Sequence, residues 1–296
     1  MPIYFLDRKT RECHEEIVAG DQFLKWLYEA NSGLVLLESI VKRKLFSFLY
    51  GKFQDMPPSR KKIKGFIEDL GIDMREAKQE EVDSYRTFNE FFTRELKASA
   101  RPIPSDPNIL VSPVDGKILA WENIDKDRLL QVKGGYYSLE ELLQNRELAS
   151  SYHQGTCLII RLCPADYHRF HFPDRGVPSQ SKKINGCYYS VNPLALKKIN
   201  KVYCANKREL TLFKSDNFGE MLLIEVGATC VGSIIQTFSP EQPVEKGSEK
   251  GYFKFGGSTT IMFLKKDTVQ IDSDLLANTL EGMETKIRMG EQIGQK

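Results

Sequence analysis

The texture of the chain changes once, at Arg101-Pro102-Ile103-Pro104, and that change limits the folds open to it. Before it, apolar residues recur at helical spacing. After it come short runs rich in Ile, Val, Leu, Phe and Tyr, separated by Gly, Pro, Asn and Ser. From Asp21 to Phe53, Leu34, Leu37, Ile40, Val41, Leu45 and Leu49 mark helices broken near Asn31–Gly33. Pro57 and Pro58 interrupt, a further helix is expected after Ser59 up to Gly71, and a fourth from Asp73. Thr87-x-x-Glu90 has the form of a capping box, with Phe88, Phe91, Phe92 and Leu96 behind it. Strands are predicted at 116–121, 156–163, 183–190, 209–214, 220–226, 231–238, 252–255 and 260–264, and helices between them only at 138–143 and 193–200. Helices first and strands afterwards predict an α+β fold. It divides into a helical region over 1–100 and a β-rich domain over 101–296, the latter a mainly antiparallel sandwich or barrel-like core.

At 296 residues the chain can bury a sizeable core, and with 41% apolar and 28% charged residues it is not a disordered chain. Forty-two Lys+Arg against 40 Asp+Glu leave a net charge of only +2, which speaks against a dedicated nucleic-acid binder. No apolar run is long enough to span a bilayer as a helix, and no secretory signal is visible at the N-terminus. Cys13, Cys157, Cys163, Cys187, Cys204 and Cys230 form no C-x-x-C pair. They are expected to be free thiols in a reducing compartment, without the spacing of zinc ligands. Charge is uneven in one place: between Val41 and Lys64 eight basic residues face Asp55 alone, a net of +7, interleaved with Phe46, Phe48, Leu49, Tyr50 and Phe53. A helix lying on an anionic membrane has this composition, and so does a bundle with a solvated basic face.

Four spots carry chemistry. Pro113-Val114-Asp115-Gly116 holds an Asp-Gly that is ordinarily a turn. Pro164-Ala165-Asp166-Tyr167-His168-Arg169-Phe170-His171 holds two of the four histidines at a strand end; they suit a metal pair without an evident third ligand, or structural hydrogen bonds. Val226-Gly227-Ala228-Thr229-Cys230-Val231-Gly232-Ser233-Ile234 places two glycines in a strand context, the mark of a bulge or close backbone approach. In Phe253-Lys254-Phe255-Gly256-Gly257-Ser258-Thr259-Thr260 the glycines suit a turn, a phosphate cradle or the position of a nucleophile. A P-loop lysine is absent and a strand, not a helix, follows. Asp115, a histidine and Ser258 thus sit on three loops of one β core, a set able to form a triad.

These segments, in this order, resemble phosphatidylserine decarboxylases. Phe88-Asn89-Glu90-Phe91-Phe92-Thr93-Arg94-Glu95-Leu96, Arg101-Pro102 and the C-terminal Gly282-Met283-Glu284-Thr285-Lys286-Ile287-Arg288-Met289-Gly290-Glu291 belong to the same likeness, which covers roughly residues 85 to 292. Many members carry Leu-Gly-Ser-Thr where this chain has Gly256-Gly257-Ser258-Thr259; Gly for Leu frees the backbone and removes a packing group.

The resemblance implies a pyruvoyl cofactor made from Ser258 by autocatalytic serinolysis. The chain is cut between Gly257 and Ser258 into a β chain of residues 1–257 and an α chain of residues 258–296, which stay together as a heterodimer and can dimerise further. It implies a triad of Ser258, His171 as base and Asp115 orienting it, leaves His168 for substrate binding, and requires no metal. The pyruvoyl group forms a Schiff base with phosphatidylserine and acts as electron sink for its decarboxylation to phosphatidylethanolamine and CO2, a step of phospholipid biosynthesis. A two-chain lipid substrate stays in the bilayer, so the enzyme is expected on the anionic cytoplasmic face of the cell membrane as a peripheral protein, through its basic aromatic N-terminal region. Two rivals differ in kind. A serine hydrolase with the same Asp115, His171 and Ser258 would keep its serine and remain one chain, though position 260 is Thr and breaks the G-x-S-x-G elbow. A non-catalytic membrane adaptor would have no use for these three residues together.

Overall fold

A computed structural model describes residues 3–132, 135–229 and 233–296. It is an α+β fold with mostly antiparallel sheets. The main sheet runs in the strand order Lys182–Ile184, Arg208–Ser215, Gly219–Val226, Ser258–Leu264, Thr156–Leu162, Gly116–Trp121, Glu284–Ile287, Tyr4–Asp7, Cys13–Glu15, with Gly176–Pro178 paired beside Arg208–Ser215. It is open rather than a barrel, because the Lys182–Ile184 and Cys13–Glu15 strands end it on opposite edges. Small sheets, one of them Ile234–Gln236, Glu249–Phe253 and Arg169–His171, add further strands outside the main sheet.

Period-two side-chain alternation places two apolar layers on the two sheet faces. Cys157, Ile159, Ile261 and Phe263 point into one core with Leu27, Tyr28, Leu37 and Val41 of the N-terminal helices. Leu158, Ile160, Leu162, Met262 and Leu264 point into the other, with Phe170, Phe172 and Phe253. Covered on both faces, the Ser258–Leu264 strand is buried at every position. Fully burying one such large side chain contributes about 1.5–3 kcal/mol. Ser258 is therefore the first residue of a fully buried central strand, and the neighbouring Thr156–Leu162 strand is fully buried too.

The N-terminal region begins with strand, not helix: Tyr4–Asp7 pairs in parallel with Glu284–Ile287, and Cys13–Glu15 follows at the edge. Helices Asp21–Glu29 and Asn31–Leu36 meet at Ala30, a π turn spans Leu37–Val41, and Lys44–Gln54 follows the extended Arg43. Pro57 and Pro58 open a 3-10 turn, and Ile63–Leu70 stops at Gly71, whose left-handed φ of 63° terminates it as expected. From Asp73 only a 3-10 turn forms, Met74–Glu76, with the Asp73 carboxylate taking up the Arg75 N–H. The Thr87 hydroxyl accepts the Glu90 N–H at 3.1 Å and starts Phe88–Phe92; Leu96 lies beyond that helix and bridges to Ala77.

Two predicted strands end earlier than expected. Of 183–190 only the start pairs, since the Tyr188 N–H donates to the Lys42 carbonyl, Tyr189 N–H to Asn206, and Ser190 N–H to the Tyr28 hydroxyl. The strand around 252–255 ends at Phe253, because the Phe255 N–H donates to Asn89. Contacts to the first hundred residues, and in the first case also to Asn206, replace ladder bonds there. Helices Arg146–Ser151, Val202–Ala205 and Ser273–Leu280 are additional to those expected. Cys13, Cys157, Cys163, Cys187 and Cys204 are free thiols. Cys230, Val231 and Gly232, and with them the start of the predicted 231–238 strand, lie outside the described residues.

Candidate active site

Register brings two of the marked loops to one end of the sheet. Arg161 pairs with Lys117 on one side and Thr259 on the other, and Leu162 pairs with Ser258. Asp115, two residues before Lys117, and Ser258 thus flank the Thr156–Leu162 strand at its C-terminal end. Gly116 is required there: a Cβ would lie 2.6 Å from the Arg161 carbonyl oxygen. His171 joins the same corner through its backbone, whose N–H donates to the Pro113 carbonyl at 2.8 Å.

Ser258 is fully buried, and its Oγ has no hydrogen-bond partner among the described residues. A buried hydroxyl left unpaired costs about 1–3 kcal/mol and calls for an explanation, of which a catalytic role is one. Ahead of it, Gly256 has φ 135°, a conformation that L side chains rarely adopt, so the usual leucine of the family pattern does not fit this backbone. Gly257 needs no such freedom. A Cβ there would meet only Val191, at 3.6 Å.

Gly256 and Gly257 open onto a cavity of about 390 Å³. Phe23, Leu24, Leu27, Val41, Phe46 and Tyr50 of the N-terminal helices line one side, and Arg161, Cys163, Val191, Asn192 and Thr229 the other. Beneath it lies a buried charge cluster. Arg161 reaches Glu16 at 2.6 Å and Glu284 at 2.5 Å, and Lys117 lies 3.5 Å from Asp166. Each cation is compensated, as burial requires.

Asp115 is buried and held by three donors: Arg101 Nε at 2.8 Å, Arg101 Nη2 at 2.5 Å and the Met289 N–H at 2.8 Å. Burial raises its pKa, opposed by Arg101 and by the Met289 N–H. Arg101 also pairs with Glu76 at 3.0 Å. His171 is buried with Nδ1 unpartnered among the described residues, and its ring stacks on Tyr167 at 5.7 Å. Burial, aided by the charge of Arg169, lowers its pKa to about 4. His171 and Asp115 lie in one corner, but their side chains share no hydrogen bond.

His168 is fully buried against Phe92, ring centroids 4.1 Å apart. Its Nδ1 lies 2.8 Å from the Asp166 carbonyl oxygen, which only accepts; Nδ1 therefore carries the proton and Nε2 a free lone pair. Nε2 has no hydrogen-bond partner among the described residues. Burial lowers this pKa to about 4 as well, with Arg94 adding to the shift and Asp166 and the Gly256 backbone opposing it. Among the described residues no group of three or more His, Cys, Asp or Glu could hold a metal ion.

Arg101, Met289, Asp166 and Asn89 were visible in the sequence only as members of motifs. No local spacing connects Met289 to Asp115 across 174 positions.

The corner so described holds a buried Gly-Ser bond beside an apolar cavity, and two buried histidines whose pKa values are lowered lie on the neighbouring segment. The sequence profile of the family described as phosphatidylserine decarboxylase matches residues 88–295. Similar chains include the phosphatidylserine decarboxylase proenzymes of Clostridium perfringens (strain SM101 / Type A), 55% identical over 294 residues, 99% of this chain and 100% of that one; of Clostridium botulinum (strain Alaska E43 / Type E3), 54% identical over 98% of both; and of Clostridium beijerinckii, 52% identical over 99% of both. The chain belongs to the phosphatidylserine decarboxylase family.

Proposed function

We propose that this chain is a self-processing decarboxylase that converts phosphatidylserine to phosphatidylethanolamine and CO2, using a pyruvoyl group formed at residue 258. The observation that carries the reading is the Gly257–Ser258 bond: a buried serine hydroxyl without a partner, next to a glycine whose face is open to an apolar cavity. The position fits the group, since no described residue competes for Ser258 Oγ and no side chain at 257 screens the carbonyl carbon. Ser258 Oγ attacks that carbon; the C–O bond forms, the C–N bond to Ser258 breaks, and the hydroxyl proton passes through a base to the freed amine. Loss of the residue 258 Cα proton then expels Gly257 as a carboxylate, and hydrolysis with release of ammonia leaves the ketone. That ketone supplies an acceptor for the substrate amine and an electron sink for the carboxylate being lost.

His171 is the proposed base. Neutral at pH 7 because it is buried, it can accept the Ser258 proton, and the carboxylate of Asp115 favours the imidazolium as it forms. His168 is then left to the substrate. A second reading exchanges the two, supported by the lone pair on His168 Nε2 and the nearby Gly256 backbone.

The N-terminal helices are the proposed bilayer contact. Among the described residues, nine of the thirteen exposed large hydrophobic side chains, among them Phe23, Trp26, Leu45, Phe48, Leu49 and Phe53, lie between residues 23 and 56, beside the exposed Lys44, Lys61 and Lys62. Among the described residues no helix is long and apolar enough to cross a membrane. Such a surface holds a protein on a bilayer by apolar insertion plus attraction to anionic lipid. Mass spectrometry tests the whole reading. Two chains of residues 1–257 and 258–296, the second with a pyruvoyl N-terminus, together with CO2 release from phosphatidylserine vesicles, are expected. One intact active chain would favour the serine hydrolase.

A further inference from the structure

The Phe88–Phe92 helix carries an asparagine that neither caps it nor touches Ser258. Asn89 is 3% exposed. Its Oδ1 accepts the Phe255 N–H at 3.0 Å, and its Nδ2 donates to Asp55 Oδ1 at 2.8 Å and to the Gly51 carbonyl at 3.4 Å. Asp55 also receives Lys254 Nζ at 3.0 Å. The Phe255 ring is enclosed by Phe88 at 4.9 Å, Phe92 at 5.1 Å and Phe66 at 6.1 Å.

The two sides of the Gly257–Ser258 bond are consequently held by different parts of the molecule. Ser258 onward is fixed by sheet pairing with Thr156–Leu162 and Gly219–Val226. Lys254 keeps one ladder bond, its N–H donating to the Ser233 carbonyl at 3.2 Å, while its Nζ reaches Asp55 after the Lys44–Gln54 helix, and the Phe255 N–H is held by Asn89 of the Phe88–Phe92 helix. Between the two holds lie only Gly256 and Gly257, the most permissive residues available. An acyl shift requires the Ser258 oxygen close to the Gly257 carbonyl carbon and in line with it. With two glycines between Phe255 and the bond, that geometry depends on the nearest fixed amide.

We infer that Asn89 is a positioning residue for self-cleavage, fixing the Phe255 amide so that the Gly257 carbonyl stays within reach of Ser258. The inference rests on the proposed self-cleavage and adds to it that the cut depends on the helical region as well as on the β corner.

The test follows cleavage of the full 296-residue chain with time during cell-free synthesis, by denaturing electrophoresis, with thermal melting of each product. Wild type must cut and Ser258→Ala must not; failure of those two controls would overturn the proposed function rather than the role of Asn89. Asn89→Leu removes all three hydrogen bonds at similar volume and is expected to cut tenfold or more slowly. Asn89→Asp keeps the acceptor for Phe255 but sets two carboxylates together, and is expected to be slow also. The exchanged pair Asn89→Asp/Asp55→Asn restores the bonds between residues 89 and 55 and to the Phe255 N–H with the roles reversed, while giving up the Gly51 bond and the Lys254–Asp55 ion pair, and is expected to cut well faster than Asn89→Asp, a rescue that general destabilisation does not give. Asn89→Leu cutting within twofold of wild type, or a folded exchanged pair no faster than Asn89→Asp, overturns the inference. If Asn89→Leu does not fold, Asn89→Asp and the exchanged pair decide it by the second criterion.

Discussion

The β core and the helices between residues 21 and 70 are built from the same apolar residue types put to opposite uses. In the Ser258–Leu264 strand every side chain is buried and both edges are paired. In the Lys44–Gln54 helix only Ser47 and Gln54 are buried, while Leu45, Phe48, Leu49 and Phe53 face outward. A soluble surface does not ordinarily gather large apolar groups in one stretch. On the proposed function the contrast separates the labour: the core would supply an enclosed corner for bond making and breaking, and the helices a face for lipid. They meet at residues 254–257. Substitutions at the corner should therefore stop processing whether or not lipid is present, and substitutions on the outward face should alter lipid binding without reaching the cut.

The largest effect expected is at Ser258. Ser258→Ala should remain one chain of 296 residues and release no CO2 from phosphatidylserine; an uncut yet active Ser258→Ala protein would end the proposed mechanism. Next come the partners. His171→Ala and Asp115→Ala are each expected to leave uncut precursor, with cleavage slowed by roughly three orders of magnitude or more, the scale seen when a triad member is lost. His168→Ala is expected to cut normally and to decarboxylate poorly. The reverse outcome, a normal cut in His171→Ala and none in His168→Ala, assigns the base to His168.

Most of the architecture could be read from the chain and part of the site could not. Period-two runs such as Thr156–Leu162 and Gly219–Val226 announce themselves, because each is long, apolar and bounded by turn residues. Ser258, Asp115 and the two histidines stood out through residue type and motif order. What stayed hidden is non-local. Tyr4–Asp7 is four residues long and pairs Phe5 with Glu284, at the far end of the chain, a pairing that no local pattern encodes. The Arg101 fork on Asp115 and the Asn89 hold on Phe255 are side-chain contacts across separate elements, so Arg101 and Asn89 read only as members of a motif.

Acid should weaken the core corner more than the helical face. His168 and His171 both carry pKa values lowered from 6.5 to about 4, burial being the main cause in each. The unfolded chain thus binds more protons than the folded one between pH 6.5 and about 4, and stability falls as pH drops through that window. At pH 5 the loss relative to pH 7 is about 2 kcal/mol per histidine. Urea unfolding of the uncut Ser258→Ala chain at pH 7 and pH 5 measures it, and adding His168→Gln should remove about half of the difference. An unchanged midpoint between the two pH values would mean that the histidines are hydrated, and the corner would lose its enclosed character.

The smallest effect expected is on the outward face, and it needs the residues chosen with care. Lys42 is a poor choice despite its place in the basic stretch: its Nζ is bound by Glu38 and by the Tyr189 hydroxyl, so it is already spoken for within the protein. Arg60 is likewise paired with Asp83 at 3.0 Å. Lys44 and Lys61 have no such partner among the described residues, and Lys62 rests over the rings of Tyr50 and Phe53. Near an anionic surface a lysine contributes about 1 kcal/mol, screened over roughly 8 Å at physiological ionic strength. Lys44→Gln/Lys61→Gln/Lys62→Gln should therefore lower binding to phosphatidylserine-containing vesicles at low salt by one to two orders of magnitude, and by much less at 0.5 M salt, where the apolar contribution of Phe48 and Leu49 persists. Processing into two chains should be unaffected, since none of the three hydrogen-bonds to residues 254–257. Vesicle sedimentation at the two salt concentrations checks this. Binding equal to the parent at low salt would make the basic stretch an ordinary solvated face and leave the exposed apolar side chains as the sole lipid contact.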